Sequence, residues 1–123
     1  MSTREHREPG PDHPITVTPT AGEVVVRVGD VVVARSSAAL TLQESTYPPV
    51  QYVPLTDVDP DRLRPSSTRT WCPFKGEAAY FSLAVEGREL PDSVWSYPEA
   101  SPAVAGIRGH VAFYPDRVSI TVG

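Results

Sequence analysis

From Glu23 onward, apolar side chains come in short β-branched runs broken by turn residues. Glu23–Val28 and Val31–Arg35 flank Gly29-Asp30, which predicts a hairpin. Residues 38–44 predict a third strand, with Leu40 and Leu42 on one face and Thr41 and Gln43 on the other. Tyr47-Pro48-Pro49 forces an extended break before a short strand at 50–54 that stops at Pro54. Residues 57–64 predict one helical turn, with Asp59 as its cap, Pro60 at the first position and residues 65–68 closing it. A strand at 78–85 leads to a turn at 86–89. A short aromatic strand, Val94–Tyr97, ends at Pro98. Ser101-Pro102 opens a second helical turn, and strands at 110–114 and 117–122 flank Pro115-Asp116. The sum is a mainly-β domain over residues 15–123, with about eight short antiparallel strands and one or two helical turns. Residues 1–14 carry charges and prolines but almost no apolar side chains. They predict a flexible N-terminal arm whose His6 and His13 are solvated.

Composition narrows the classes. At 123 residues the chain is one domain, large enough for a core without disulfides. Its 14 prolines and 8 glycines disfavour long helices. A net charge of −4 argues against nucleic-acid binding and against a polybasic membrane contact. A single cysteine forms no internal disulfide, which points to a reducing cytoplasm. No apolar run approaches the ~20 residues of a membrane-spanning helix. The preference for Arg, Ala, Val and Pro over Lys points to a GC-rich bacterial genome.

The richest chemistry lies in Thr70-Trp71-Cys72-Pro73-Phe74-Lys75-Gly76, which holds the only cysteine and the only lysine. An ammonium beside a thiol stabilises the thiolate, so Cys72 and Lys75 are candidate catalytic residues; the alternative is a cysteine used as small apolar filler. Trp71, Phe74, Tyr80, Trp95 and Tyr97 cluster mid-chain, flanked by Tyr47, Tyr52, Phe113 and Tyr114, as pocket walls or as core. Trp95 and Tyr97, two apart on a strand, share a face. Asp57, Asp59 and Asp61 alternate, but the calcium-loop pattern fails at Arg62 and Thr68, which favours a helix cap with solvated acids. No phosphate loop, zinc spacing or nucleophile elbow occurs.

The combination T-x-C-P-x-K-G-x-A-x-Y at 70–80, W-x-Y-P at 95–98 and V-A-F-Y at 111–114 resembles the bacterial and fungal family known as domain of unknown function 427. So do Leu40–Glu44 and Pro49, Tyr52, Pro54 and Asp57, and the likeness covers about Val24–Val122. The resemblance implies a β-tent type fold, related to domains that hold a ligand or zinc between two sheets. Many such domains carry four zinc cysteines; this chain has one, so no zinc site of that kind is expected. The family is sometimes labelled nucleotidyltransferase-like. That chemistry needs metal-binding carboxylates and a phosphate cradle, and the only candidate acids here are Asp57, Asp59 and Asp61.

Three functional readings stand. The first is a binding module whose aromatic cleft takes an unknown small molecule, with Glu44, Tyr52, Thr70, Trp71, Lys75, Tyr80, Trp95 and Tyr97 as its site residues. The second is an enzyme using Cys72 as nucleophile or redox thiol, activated by Lys75. The third is a structural protein that forms a homodimer through exposed strand edges. None calls for a metal, a cofactor, a nucleic acid or a membrane.

Overall fold

The computed structural model describes residues 4–123; residues 1–3 of the expected arm lie outside the described residues. Ten strands form, two more than the pattern predicts. They are β1 (Ile15–Pro19), β2 (Val24–Val28), β3 (Val31–Ser36), β4 (Leu40–Glu44), β5 (Val50–Pro54), β6 (Leu63–Cys72), β7 (Gly76–Val85), β8 (Arg88–Ser96), β9 (His110–Phe113) and β10 (Ser119–Val122). All pairings are antiparallel.

The strands make two sheets. A seven-stranded sheet runs β1-β4-β5-β9-β8-β7-β6, and a three-stranded sheet runs β10-β2-β3. The hairpin read at Gly29-Asp30 is present, with Val28 opposite Val31 and Gly29 at φ +57°. Asp59 caps a 3-10 turn at Pro60–Arg62, accepting from Asp61 N at 3.0 Å. That turn stops short of the prediction, because Leu63 and Arg64 already pair with Leu83 and Ser82 as the start of β6. Likewise β8 begins at Arg88, well before the expected aromatic strand. Residues 102–107 form 3-10 turns, as Ser101-Pro102 suggests.

Alternation along the strands gives the large sheet two differently furnished faces. One face carries Val53, Val94, Val111 and Phe113, which pack against Val24, Val26 and Val33 of the small sheet. This cluster is almost wholly aliphatic and buried, and its burial stabilises the fold at about 25 cal/mol per Å² of apolar surface removed from water. The other face carries Leu42, Tyr52, Ala78 and Ala112. It is partly roofed by the segment 97–107 through Tyr97, Ala100, Val104 and Ile107. Arg108 fastens that roof, donating from Nε to Ala100 O at 2.8 Å. No helix among the described residues is long and apolar enough to cross a membrane.

Leu83 lies fully buried on β7 in the aliphatic cluster. Leu83→Ala is expected to cost about 2–5 kcal/mol of stability by opening a cavity there, seen as a lower urea midpoint at unchanged slope.

Candidate functional site

The face under the roof builds its site by register. Tyr80, Trp95 and Ala112 lie side by side on β7, β8 and β9. Val53 pairs with Val111, which brings Tyr52 of β5 beside Ala112. The small Ala112 of β9 thus separates two large rings on the strands either side of it and leaves room between them. Trp95 and Tyr52 lean across it: Trp95 Nε1 donates to Tyr52 Oη at 3.2 Å, with the rings edge-on and centroids 6.4 Å apart.

A recess of about 220 Å³ opens over this row. All five tyrosines of the chain line it: Tyr47, Tyr52, Tyr80, Tyr97 and Tyr114. Trp95, Leu42, Pro48 and Val50 complete the apolar wall, and Glu44 and Lys75 are its charged groups. Tyr47 and Tyr114 form the exposed rim, while Tyr52 and Tyr97 lie buried within. Tyr114 leans on Trp95 with ring centroids 4.5 Å apart.

Lys75 sits in the turn between β6 and β7, and Glu44 ends β4 near the opposite side of the large sheet. Lys75 Nζ donates to Glu44 Oε1, so the sheet curls until its two sides meet. His13 Nε2 donates to the other carboxylate oxygen, Oε2, at 2.8 Å, and its ring stacks on Phe74 at 4.1 Å. His13 therefore departs from the solvated tail expected of it. Composition could not show that Phe74 and Glu44 offer its imidazole a stacking face and an acceptor.

The rest of the N-terminal segment lies along the same turn. Arg7 N donates to Pro73 O at 3.0 Å, Trp71 Nε1 donates to Glu5 O at 2.8 Å, and Arg4 pairs with Glu77 at 2.7 Å. Gly76 lets the turn close: its φ is +111°, and a Cβ there would stand 3.4 Å from Glu99 O. Lys75 O accepts from Ser101 N at 2.9 Å, which joins the turn to the roof.

Of the residues singled out by sequence, Glu44, Tyr52, Lys75, Tyr80, Trp95 and Tyr97 line the recess. Thr70 stands behind the wall, its Oγ1 2.9 Å from Tyr80 Oη. Trp71 is elsewhere. It pairs with Glu77 on β7 while Thr70 and Cys72 pair with Ala78 and Gly76, so alternation turns it to the opposite face, where His6 and Arg4 cover it. Cys72 ends β6, half-buried against the apolar cluster, and does not share the recess with Lys75. The expected acids are occupied locally: Asp57 accepts from Ser36 Oγ at 2.5 Å, and Asp59 caps its turn and pairs with Arg62. Among the described residues, no three His, Cys, Asp or Glu side chains gather as a metal-binding group.

Burial raises the phenols of Tyr52 and Tyr97 well above the ordinary tyrosine value, and neighbouring groups add to this at Tyr97. Burial and the bond to Tyr80 push Tyr114 up to about 12. Glu44 goes the other way. Burial pushes its carboxyl up, but the hydrogen bonds and charges of Lys75 and His13 outweigh burial and hold it below the ordinary value.

A family model described as a domain of unknown function (DUF427) matches residues 16–123, which takes in the whole recess wall and leaves out His13. No curated protein matches the chain.

Because the Glu44 carboxyl is lowered in the folded state, the unfolded chain binds more protons there. The stabilisation is complete above the ordinary value of about 4.5 and disappears as pH falls through the folded value. Urea titrations from pH 6 to pH 3 are expected to show a smaller loss of stability for Glu44→Gln than for the wild type. Asp92, lowered by bonds from Ser66 and Thr68, contributes equally to both proteins. Equal acid sensitivity would mean that the ion pair contributes nothing in solution.

Proposed function

The chain belongs to the domain of unknown function (DUF427) family, and from that premise we propose that it acts by binding a small molecule in the tyrosine-lined recess. One observation carries this reading. Every tyrosine of the chain, one of its two tryptophans and its only lysine converge on one hollow. A β core needs no hydroxyl groups, yet five phenols gather here. Among the described residues, Tyr97 Oη has no hydrogen-bond partner, and the oxygen still reaches solvent. Such a group suits an occupant that supplies the missing bond. The volume fits one ring with a small polar substituent and falls below the ~300–1,000 Å³ of sites for larger ligands.

The enzyme reading through Cys72 is weaker on this geometry. Lys75 is paired with Glu44, so much of its positive charge is neutralised before it reaches the thiol, and the sulfur stands outside the recess. The β-tent relation and a bacterial, cytoplasmic origin remain with the binding reading as parts of the same proposal.

Thermal unfolding against a panel of single-ring metabolites tests it. A ligand at one hundred times its Kd is expected to stabilise the fold by about 2.7 kcal/mol, a rise of several degrees in Tm. Tyr97→Phe keeps the ring and removes only the unpartnered hydroxyl. It is expected to change the unliganded stability by less than about 0.5 kcal/mol while reducing the ligand-induced rise. If no compound raises Tm, the binding reading fails.

A further inference from the structure

We infer that the occupant of the recess is a small planar carboxylate, an inference that rests on the binding reading above. The hydrogen-bonding capacity left over by the protein points to it. Lys75 carries three N–H donors and gives one to Glu44. Tyr52 Oη receives the Trp95 proton, which leaves its own O–H to give. Tyr97 has a hydroxyl with no partner among the described residues. Burial keeps both phenols protonated, so they meet an occupant as donors. Glu44 is the one carboxylate on the wall, and each of its oxygens is already engaged, Oε1 by Lys75 and Oε2 by His13. The recess therefore presents ring faces and unused donors, which suit an occupant that brings acceptors.

Charge separates a carboxylate from a neutral acceptor. Lys75 leans toward the Tyr97 ring, its Nζ 5.9 Å from the centroid, so the ammonium and Tyr97 line the same hollow. An oxyanion placed there takes charge-assisted bonds, roughly twice as strong as neutral ones. A ligand ammonium would instead meet the like charge of Lys75 and compete with Lys75 and His13 for the lone pairs of Glu44.

The chain holds two tryptophans, and they make a built-in control. Trp95 lines the recess, and Trp71 sits outside it with its indole N–H on Glu5 O. Benzoate, benzyl alcohol and benzylammonium are titrated into the ¹⁵N-labelled full chain while both indole N–H signals are followed. Benzoate is expected to move Trp95 and leave Trp71 in place, to bind at least about tenfold tighter than benzylammonium, and to weaken about three- to tenfold in Tyr97→Phe. Benzylammonium binding as tightly as benzoate would overturn the carboxylate and leave the binding reading intact. Benzyl alcohol binding as tightly would overturn the charge requirement in the same way. Movement of Trp71 with Trp95 would place the probes outside the recess and overturn the inference. If no probe moves Trp95 up to about 10 mM, the carboxylate and the single-ring binding reading fall together.

Discussion

One carboxylate, Glu44, holds three distant parts of the chain at a single point. It ends β4, and its two oxygens receive Lys75 from the β6–β7 turn and His13 from the N-terminal segment. The partners lie 31 residues away in either direction along the sequence, so the junction closes long loops rather than local ones. The apolar cluster under the roof also joins the two sides, through Leu40 and Leu42 on one and Cys72 and Ala78 on the other, and the carboxylate fixes how they meet at the recess. A pair this dehydrated is favourable only if its remaining lone pairs are used, because partial burial penalises both charges. The second bond, from His13, meets that requirement and makes the N-terminal segment part of the site.

The fold tolerates such a polar cluster because stability is generated elsewhere. The aliphatic contact between the two sheets buries valines completely and needs nothing from the opposite face. That opposite face can then hold groups a core would reject: raised phenols, an unpartnered hydroxyl and an ion pair. The two faces belong to the same strands. Val94 and Trp95 are sequence neighbours, one in the aliphatic contact and one on the recess wall, and strand alternation alone sends them apart.

Where local rules suffice, the sequence is readable. Val28 and Val31 around Gly29-Asp30 specify their hairpin through turn chemistry, and Asp59-Pro60 specifies its 3-10 turn through capping. The errors share one cause. Leu63–Thr68 carries two serines, a proline and few apolar residues, so nothing local marks it as strand; pairing of Leu63, Arg64 and Pro65 with β7, before a register shift at Arg69, draws it into β6. Ile15–Pro19 likewise becomes a strand by adding to β4. The site follows the same division. Trp95 and Tyr97 could be assigned to one face from their spacing, and alternation could also have separated Trp71 from Cys72. His13 carried no signal, because its partners Glu44 and Phe74 are remote in sequence. Cys72 and Lys75 are close in sequence, yet only Lys75 lines the recess, since residues near each other in a tight turn can point to different surroundings.

The identity of the one lysine then acquires a physical meaning. The chain has eleven basic residues besides histidine, and Lys75 is the only one that is not arginine. An arginine opposite Glu44 would grip the carboxylate with a planar fork, commit its donors there and fill the hollow with its own guanidinium. A lysine meets the same oxygen with one N–H of a compact charge and keeps the others free. Lysine stands at the one basic position of the chain that lines the recess. A purely structural bridge would gain from the fork. A bridge that must also receive something is better served by the ammonium.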